Sequence, residues 1–575
     1  MRPVTSLIFA ATVAVLATLS SLSAKAANDL VFAPVPASVY ASVPFDMPRV
    51  DVPRIPDRTV SIVEFGAVGD GRFLNTEAFA KAIDHAAAQG GGRVVVVRGI
   101  WLTGPIVLRD NINLHTESGA LVRFSGDRDL YPWIETSYEG LRAVRCQSPI
   151  SAYRVENIAI TGAGVIDGFG QAWRQVKREK MTENQWRKLV AAGGVLDQRE
   201  RIWWSSEGAL AGAEGGYGKW FPDSTREELE AVRDFLRPVM VSLRESRNIL
   251  LDGPTFQNAP AWNLHPLMSE NIIVRNLTVL NPWYSQNGDG LDVESSRNVV
   301  IYGNKFDVGV DAICLKSGKN AEGRQRGMPT ENLVVRDNVV YHGHGGFIVG
   351  SEMSGGVRNV FVADLTFIGT DVGIRFKSTR GRGGVAENIH ITDINMVDIP
   401  TEPIRFNLFY AGSVPKPDED MEVVDAATYL ARFPAVSEET PSFRNITIRH
   451  VVCRGAGGAM WIQGLPEMAV ENIRIENVDL TATRGVRLID VKGFHFENGR
   501  WQVAERPALH LHNARDVTFR NSALGLMGGA TIVPVRVDGP LTQAVDLRGL
   551  SAPAARMGLL KGENVKLDEV HPPTH

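Results

Sequence analysis

The sequence contains little cysteine and no strong excess of charge of either sign. It has 3 cysteines in 575 residues and a formal net charge of −4. An odd number of widely spaced cysteines argues against a disulfide framework, and a charge near zero gives no indication of a nucleic acid or membrane partner. With 44% hydrophobic residues the chain can still bury a large core. We expect Cys314, within an apolar stretch, to be a small core residue.

Long apolar runs are also scarce, apart from one at the beginning of the chain. Residues 1–26 combine a charged start at Arg2, an apolar run from Leu7 to Leu19, and the small-residue sequence Ala24-Lys25-Ala26. This order is typical of a signal peptide. The alternative is a membrane anchor, but the run is short and rich in Ala and Thr. We therefore expect an exported protein, periplasmic or secreted, with no membrane contact in its mature form.

Crossover helices and hairpin turns are missing from the middle of the chain, where one short phrase recurs instead. Glu or Arg is followed by Asn or Asp and then by alternating apolar residues; the second residue of each instance is Asn157, Asn248, Asn271, Asn298, Asn332, Asn359, Asn388, Asn445, Asn472 or Asp516. From Asn248 the steps are 23, 27, 34, 27 and 29 residues. Such a period predicts stacked units, and strands without crossover helices predict an all-β parallel β-helix.

The recurring Asn fits a turn position, because its side chain can bond backbone and it tolerates a left-handed conformation. A β-sandwich is the alternative fold, but the dipeptides that form tight hairpins are scarce between the strands.

The domain organisation follows from the same pattern. We predict a Pro-rich leader over 27–59, a β-helix over 60–540 and a C-terminal tail over 541–575. A helix from Asn75 or Thr76 to Gln89 is expected to cap the first coil. Two insertions interrupt the repeat, at 171–237 and 402–441, and both contain aromatic residues. Their tryptophans either stack on sugar rings or anchor the insertions by packing.

Two aspartates are separated by about one coil. Asp289 lies in a Gly-rich stretch from Asn287, and Asp311 follows 22 residues later in a second stretch from Gly309. Because stacked strands lie ~4.8 Å apart, the two carboxylates are expected to be neighbours on one surface. Two nearby carboxylates are the requirement for acid–base cleavage of glycosides.

Further polar residues follow on the next coils. His344 lies between glycines, and Arg375 and Lys377 are two residues apart on a strand, so they share one face. Cations beside carboxylates suggest an anionic substrate. Each feature alone is commonly structural: a turn aspartate, a turn histidine or a solvated strand face. Their combination at coil spacing favours a functional site.

At these residues the sequence resembles a known family. Asn-Gly-Asp-Gly-Leu-Asp, Gly-Val-Asp-Ala-Ile-Cys-Leu-Lys-Ser-Gly, Gly-His-Gly-Gly-Phe-Ile-Val-Gly-Ser-Glu and Arg-Phe-Lys resemble, in order, the signature motifs of the polygalacturonases, glycoside hydrolase family 28. Those motifs usually read Asn-Thr-Asp, Gly-Asp-Asp, Gly-His-Gly and Arg-Ile-Lys. The resemblance covers roughly Val60 to Arg520. It implies a right-handed, pectin lyase-like β-helix that hydrolyses α-1,4 galacturonosidic bonds of pectic oligo- or polysaccharides with inversion. It implies no metal and no cofactor, and we expect a monomer.

The resemblance also implies roles for individual residues. Asp289 and Asp311 match the carboxylates that activate water, and His344 matches a supporting histidine. Arg375 and Lys377 match the pair that binds the uronate carboxylate. Two further polar residues of these motifs, Asp292 and Lys316, are expected to bind substrate.

One departure concerns the second motif, where Val310 replaces the first aspartate, the residue usually assigned as general acid. We expect Asp311 to take over as acid, with Asp289 as base. Asp311 then needs a raised pKa, which Asp289 would favour and Arg375 and Lys377 would oppose. The other possibility is a changed substrate or a weakened activity. We expect exo action as well, with the two insertions covering one end of the groove.

Three alternatives remain open. One is a calcium-dependent polysaccharide lyase in which Asp289, Asp292 and Asp311 hold Ca²⁺. Another is a pectin-binding β-helix without catalysis, for which Val310 would be the sign of a decayed site. Among hydrolases, a rhamnogalacturonan or other uronide hydrolase remains possible.

Overall fold

Each coil of the chain adds one strand to each of three parallel sheets. The computed structural model describes residues 29–215, 223–410, 425–529, 531–553, 555–562, 565 and 570–572. The predicted signal peptide, 1–26, lies outside these residues. The sheets enclose one continuous apolar core, so the predicted parallel β-helix is confirmed.

The strands are short and follow one another without crossover helices. The first are β1 (Thr59–Ser61), β2 (Gly92–Val96), β3 (Gly99–Thr103), β4 (Ile106–Val107), β5 (Ile112–Thr116), β6 (Ala120–Phe124), β7 (Trp133–Tyr138), β8 (Leu141–Cys146), β9 (Ile150–Tyr153), β10 (Glu156–Gly162), β11 (Val165–Asp167), β12 (Val176–Lys177), β13 (Val195–Leu196) and β14 (Ile202–Trp204). The middle ones are β15 (Val241–Arg244), β16 (Arg247–Asp252), β17 (Thr255–Gln257), β18 (Leu264–Leu267), β19 (Glu270–Arg275), β20 (Thr278–Leu280), β21 (Leu291–Glu294), β22 (Arg297–Tyr302), β23 (Lys305–Asp307), β24 (Asp311–Lys316), β25 (Thr330–Arg336), β26 (Val339–Val340), β27 (Gly345–Val349), β28 (Val357–Ile368) and β29 (Ile374–Lys377). The last are β30 (Val385–Ile399), β31 (Ile404–Asn407), β32 (Ser442–Gln463), β33 (Val470–Ile489), β34 (Val491–Glu497), β35 (Arg500–Val503), β36 (Leu509–His512), β37 (Arg515–Arg520), β38 (Ser522–Leu526), β39 (Ile532–Asp538), β40 (Gln543–Asp546), β41 (Leu550–Ser551), β42 (Arg556–Lys561) and β43 (Val570–His571).

Four long strands bend from one sheet into another: β28, β30, β32 and β33. The site sheet, which carries the candidate functional residues, runs through β4, β9, β15, β18, β21, β24, β27, β29, β31, β32, β33, β36, β39 and β42. The ladder sheet runs through β1, β2, β5, β10, β16, β19, β22, β25, β28, β30, β32, β33, β34, β37, β40 and β43. Strands β7 and β8 form a separate antiparallel hairpin, and β12, β14 and β13 form a small antiparallel sheet.

The helices lie at the start of the β-helix and in its loops. They are α1 (Thr76–Ala88), α2 (Glu183–Ala191), α3 (Glu207–Glu214), α4 (Arg226–Ala231), α5 (Asn320–Arg326) and α6 (Ala426–Leu430), with 3-10 turns at Ala37–Tyr40, Ile62–Phe65, Arg128–Leu130, Gly170–Ala172, Arg178–Lys180 and Arg233–Phe235. Helix α1 buries Phe79 and Ile83 in the core that it shares with the first strands. Among the described residues, none of the helices combines the length and apolarity needed to cross a membrane.

The recurring Asn residues form a ladder at the head of the ladder-sheet strands. All nine, and Asp516, have positive φ between 52° and 58°, as predicted for this turn position. Their side chains bond to one another as well: Asn332 Nδ2 donates to Asn298 Oδ1 at 3.3 Å, and Asn359 Nδ2 donates to Asn332 Oδ1 at 3.0 Å. The residue before each Asn alternates between Glu and Arg, which pair across coils, as Arg358 does with Glu331 at 2.7 Å.

The Pro-rich leader is packed rather than free. Apolar leader residues such as Tyr40 and Ile55 cover outward-facing side chains of the ladder sheet, from Ala159 to Ala363. Arg275 Nη1 on the same sheet donates to a leader carbonyl at 2.7 Å. The described residues of the predicted leader over 27–59 therefore form a strap along the β-helix.

The predicted tail over 541–575 also differs from the structure. Strands β40, β41, β42 and β43 continue the parallel pairing of the preceding coils. The β-helix therefore extends to His571 instead of ending near residue 540.

Candidate active site

Asp289 and Asp311 lie on adjacent coils of the site sheet. Leu291 of β21 pairs with Ile313 of β24, an offset of 22 residues that equals the step between the two aspartates. The backbone N–H of Gly290 donates to the carbonyl of Asp311 at 2.9 Å. Both aspartates are almost fully buried, at 3% and 1% exposure. The adjacency predicted from the sequence is thus present in the structure.

Lys377 binds Asp311 directly. Along β29, Ile374 and Phe376 enter the core, whereas Arg375 and Lys377 lie on the opposite face. Lys377 Nζ lies 2.6 Å from Asp311 Oδ2. Burial alone would raise the pKa of Asp311, but the charges of Lys377 and Arg375 outweigh it and lower that pKa to about 2. Asp311 is therefore ionised.

Lys316, at the end of β24, contacts the other two aspartates. Its Nζ lies 2.8 Å from Asp292 Oδ1 and 3.6 Å from Asp289 Oδ2, and 3.5 Å above the centre of the Trp262 ring. Burial, together with the negative charge of Asp292, raises the pKa of Asp289 well above its usual value. Burial also raises the pKa of Asp292, to about 7, against the opposing effect of Lys316. Asp289 is therefore the carboxyl group that keeps its proton.

This proton arrangement contradicts one expectation from the sequence. We expected a raised pKa at Asp311, so that it could serve as the acid with Asp289 as base. The structure places the raised pKa at Asp289 instead. The physical reason is that Asp311 faces two cations, Lys377 and Arg375, while Asp289 shares Lys316 with another buried carboxylate.

His344 is held next to the site aspartates by Asp371, a residue that the sequence analysis did not identify. The imidazole Nδ1 donates to Asp371 Oδ2, and the His344 backbone N–H donates to the carbonyl of Val310 at 2.8 Å. The hydrogen bond from His344 lowers the pKa of Asp371. Asp371 precedes the Arg375 motif by four residues in a Thr-Asp-Val-Gly turn, where an aspartate looks like an ordinary turn residue.

Cys314 is buried, as expected, but it lies on the site face and not in the core. In register it stands between Asp292 and Ile348, and its Sγ lies 3.8 Å from Asp311 Oδ2. Burial raises the pKa of this thiol well above its usual value. It is therefore an uncharged packing group beneath the carboxylates.

The β7–β8 hairpin closes the end of the site sheet that precedes these carboxylates. Tyr138 stacks on Trp262, with ring centroids 5.7 Å apart and an interplanar angle of 9°. At the hairpin tip, Glu139 Oε1 accepts a hydrogen bond from Asn287 Nδ2 at 3.2 Å. The backbone N–H of Lys319, beyond the other end of the site strands, donates to a tip carbonyl at 3.0 Å. The hairpin therefore crosses the sheet and blocks the groove on this side.

The two insertions approach opposite edges of the site strands. The first approaches the His344 side, where the Lys180 carbonyl accepts a hydrogen bond from Trp283 Nε1 at 2.9 Å and the Lys180 charge helps to lower the pKa of Asp371. The second begins on the Lys377 side, where the Tyr410 ring lies 5.2 Å from Lys377 Nζ. Joint coverage of one end of the groove stays a prediction; residues 216–222 and 411–424 lie outside the described residues.

Most of the described tryptophans of the first insertion are buried in the protein and do not extend into the groove. Trp173, Trp186 and Trp204 are buried, and two of them belong to an apolar cluster with Tyr131. Trp220 lies outside the described residues.

A possible metal-binding group lies elsewhere on the site sheet. Within the described part of the chain, His510, His512 and Asp538 bring their ligand atoms within 4.8 Å of one another. Asp538 already contacts His512 at 2.6 Å and Arg536 at 2.5 Å. Its charge is thus offset by the guanidinium group of Arg536. The calcium site of the lyase alternative, at Asp289, Asp292 and Asp311, is likewise disfavoured, because lysine ammonium groups contact all three carboxylates.

Comparisons with known proteins agree with this arrangement. The model of the glycosyl hydrolases family 28 matches residues 188–425. A "Probable polygalacturonase" of Vitis vinifera is 28% identical over 426 residues, which are 73% of this chain and 74% of the relative. An "Exo-poly-alpha-D-galacturonosidase" of Dickeya chrysanthemi is 29% identical over 62% of this chain and 58% of its own length. The crystal structure of a hyperthermoactive exopolygalacturonase from Thermotoga maritima superposes with a TM-score of 0.63 at 30% identity, covering 83% of this chain and 94% of that one.

A shared fold, the ordered motifs around Asp289 and Asp311, and these matches lead to one conclusion: the chain belongs to the glycosyl hydrolases family 28, whose polygalacturonases cleave O-glycosyl bonds.

Proposed function

We propose that this protein hydrolyses α-1,4-linked galacturonosidic bonds of polygalacturonate and its oligomers with inversion, and that it releases galacturonate from the non-reducing chain end. The observation that carries the proposal is a pair of buried aspartates on adjacent coils, of which Asp289 has a raised pKa and Asp311 a lowered pKa. An inverting glycosidase needs one carboxylic acid and one carboxylate. The named relatives support polygalacturonate as substrate.

In this mechanism Asp311 is the base. Lys377 holds it in the ionised form, so it can accept a proton from the attacking water as that water adds to the anomeric carbon. Asp289 is the acid, because burial and Asp292 keep it protonated, and it donates this proton to the glycosidic oxygen as the bond breaks. The turnover ends with Asp311 protonated and Asp289 ionised, and exchange with solvent restores both.

The neighbouring cations and histidine position the substrate. Arg375 is half-buried on the groove face, where its guanidinium group can bind a uronate carboxylate in two-pronged fashion. Lys377 forms an ion pair with Asp311, so its contribution is to keep the base ionised. Lys316 and Asp292 form the support on which Asp289 keeps its proton. His344, oriented by Asp371, lies beside Val310 at the edge of the site.

Exo action is supported by the closed end of the groove. The β7–β8 hairpin is tied to the site by the hydrogen bond between Glu139 and Asn287. In this position it blocks the path of a polymer past the carboxylates on that side. Only a chain end can then occupy the space between the hairpin and the bond to be cleaved. The names of the Dickeya and Thermotoga relatives point in the same direction.

Product analysis tests the proposal. Time-resolved chromatography of a polygalacturonate digest should show galacturonate first, with a slow loss of viscosity, and proton NMR should show the inverted anomer first. Mid-sized oligomers at the earliest times would contradict exo action. Unsaturated products that absorb in the ultraviolet, with activity lost in a chelator, would favour the lyase. Binding without new reducing ends would favour a non-catalytic protein.

Export is part of the same proposal. The signal-like residues 1–26 support a periplasmic or secreted location, and fractionation of the producing cells tests it. We also propose that the enzyme acts as a monomer, which light scattering on the purified protein can check.

A further inference from the structure

The site sheet continues past Arg375 with a row of outward-facing residues. In register, Arg375 of β29 pairs with Arg405 of β31, Arg405 pairs with Trp461 of β32, and Trp461 pairs with Arg487 of β33. Neighbouring strands are ~4.8 Å apart, so the row advances by a similar distance at each coil. This row leads away from the carboxylates toward the C-terminal end of the β-helix.

Trp461 holds the two outer arginines in place. The Cζ atom of Arg405 lies 4.3 Å from the centre of the indole ring, and that of Arg487 lies 4.6 Å from it. Because the two arginines come from the strands on either side of β32, the ring fixes both guanidinium groups above the sheet. Trp461 itself is half-buried. The guanidinium groups are therefore ordered before any ligand arrives.

The row carries more positive charge than its acidic partner can offset. Glu402 is buried, and its carboxylate oxygens lie 3.5 Å from Arg405, 3.5 Å from Arg484 and 3.6 Å from Arg487. Three guanidinium groups thus share one carboxylate at loose distances. Arg484 and Arg487 keep 47% and 38% of their side chains exposed. Burial and the neighbouring arginines lower the pKa of Arg405.

Because one end of the groove is closed, a bound polymer can extend only over the row of arginines. The hairpin blocks the side before Asp289. A chain end bound there must therefore send the rest of its polymer over Arg375 and then over Arg405, Trp461 and Arg487. For a polyuronide, that part of the polymer presents one carboxylate for each sugar.

We infer that Arg405 and Arg487, held by Trp461, form an additional carboxylate-binding subsite for the uronic acid residues on the leaving-group side of the scissile bond. The inference rests on the proposed function. Planar guanidinium groups match carboxylates in a two-pronged geometry, and the indole ring keeps both of them in place above the sheet. The subsite makes longer acidic oligomers better substrates than the dimer, which ends near Arg375.

Chain-length dependence tests this subsite. We compare kcat/KM for digalacturonate and pentagalacturonate in the wild type and in Arg487→Met. The ratio of the pentamer value to the dimer value should fall about tenfold or more, as expected for a lost charge-assisted hydrogen bond. Arg487→Lys should restore part of the ratio. An unchanged ratio, with both substrates equally affected or unaffected, overturns the subsite.

The chain offers a matched control on the same strand. Arg474 of β33 is 56% exposed, faces away from the groove and pairs with Glu476. Arg474→Met removes the same charge, and the ratio should keep its wild-type value. Thermal unfolding checks that each variant is folded. Arg484→Met, at the more exposed edge, should lower the ratio in the same direction if Arg487→Met is too unstable to assay.

A binding measurement separates this inference from the proposed function. Calorimetry with pentagalacturonate in Asp289→Asn needs no turnover, and adding Arg487→Met to that variant should weaken binding about tenfold. If the wild type cleaves no galacturonide but binding still depends on Arg487, the function fails and the subsite stands. If the wild type releases galacturonate and binding is independent of Arg487, the subsite fails alone.

Discussion

Lys316 and Lys377 lie on the same face of the site sheet and contact buried aspartates, yet those aspartates hold their protons very differently. Around Lys316, Asp292 and Asp289 share one ammonium group. Around Lys377, Asp311 alone faces two cations, the second being Arg375. Burial disfavours the charged carboxylate in both places, so the local balance of charge decides which one ionises. One residue type thus supplies an acid and a base within two neighbouring coils.

Removing either carboxyl group should have the largest effect. Asp289→Asn and Asp311→Asn should each lower kcat by ~10²-fold or more, because each removes a proton-transfer group. Steady-state kinetics on digalacturonate provides the measurement. Asp337→Asn, at an exposed turn with a left-handed φ of 53°, is the matched control and should be active. More than about a tenth of wild-type kcat in either site variant would contradict its role.

The two lysines should then move opposite limbs of the pH profile. Activity requires Asp311 ionised, which holds above a pKa of about 2, and Asp289 protonated, which is lost as pH rises through its raised pKa. Removing a cation raises the pKa of its carboxylate. Lys377→Met should therefore shift the acidic limb to higher pH, with about tenfold lower kcat at pH 5. Lys316→Met should shift the alkaline limb to higher pH. If both variants move the same limb, the contrast between the two lysines is wrong.

A smaller effect is expected when the usual family residue is restored. Val310→Asp adds a fourth carboxylate to a site that already has its acid in Asp289. We expect kcat to change by less than about tenfold. Val310→Asn, similar in size and uncharged, separates the effect of charge from that of shape. A gain of about a hundredfold in Val310→Asp alone would show that the native site lacks its acid.

The smallest effect on activity is expected from the ladder sheet, where charge near the carboxylates does not change. Asn332→Ala loses two side-chain hydrogen bonds and strains a left-handed position with φ of 58°. It should lower the free energy of unfolding by ~1–3 kcal/mol without altering the pH profile. Asn332→Gly removes the bonds but keeps the backbone unstrained, so it should cost less. Denaturant unfolding measures both, and a shifted pH profile would mean that the site depends on more than local charge.

The sequence predicted what repeats and what is spaced by one coil. The 22-residue step between Asp289 and Asp311 matches the strand register, so their adjacency could be predicted. Which aspartate is protonated could not be predicted from the sequence, because it depends on the positions of the lysine side chains around Asp289, Asp292 and Asp311. The hairpin tip at Glu139 meets Asn287 across 148 residues of sequence. No local pattern predicts such a contact. The ladder-sheet strand β40 begins with Gln543-Ala544 instead of the recurring Glu/Arg-Asn phrase, so the repeat pattern does not predict the last strands.

The strap over 29–56 has a consequence for the order in which the protein can be completed. Its apolar residues pack on outward-facing side chains from Ala159 as far as Ala363. Synthesis from the N-terminus produces this segment before the coils that it covers, and the last of its partners appears more than three hundred residues later. The strap can therefore pack on the ladder sheet only after the coils that it covers have formed. Its packing is complete only once the coil that contains Ala363 has formed, and a chain truncated before that residue would leave part of the strap without its partners.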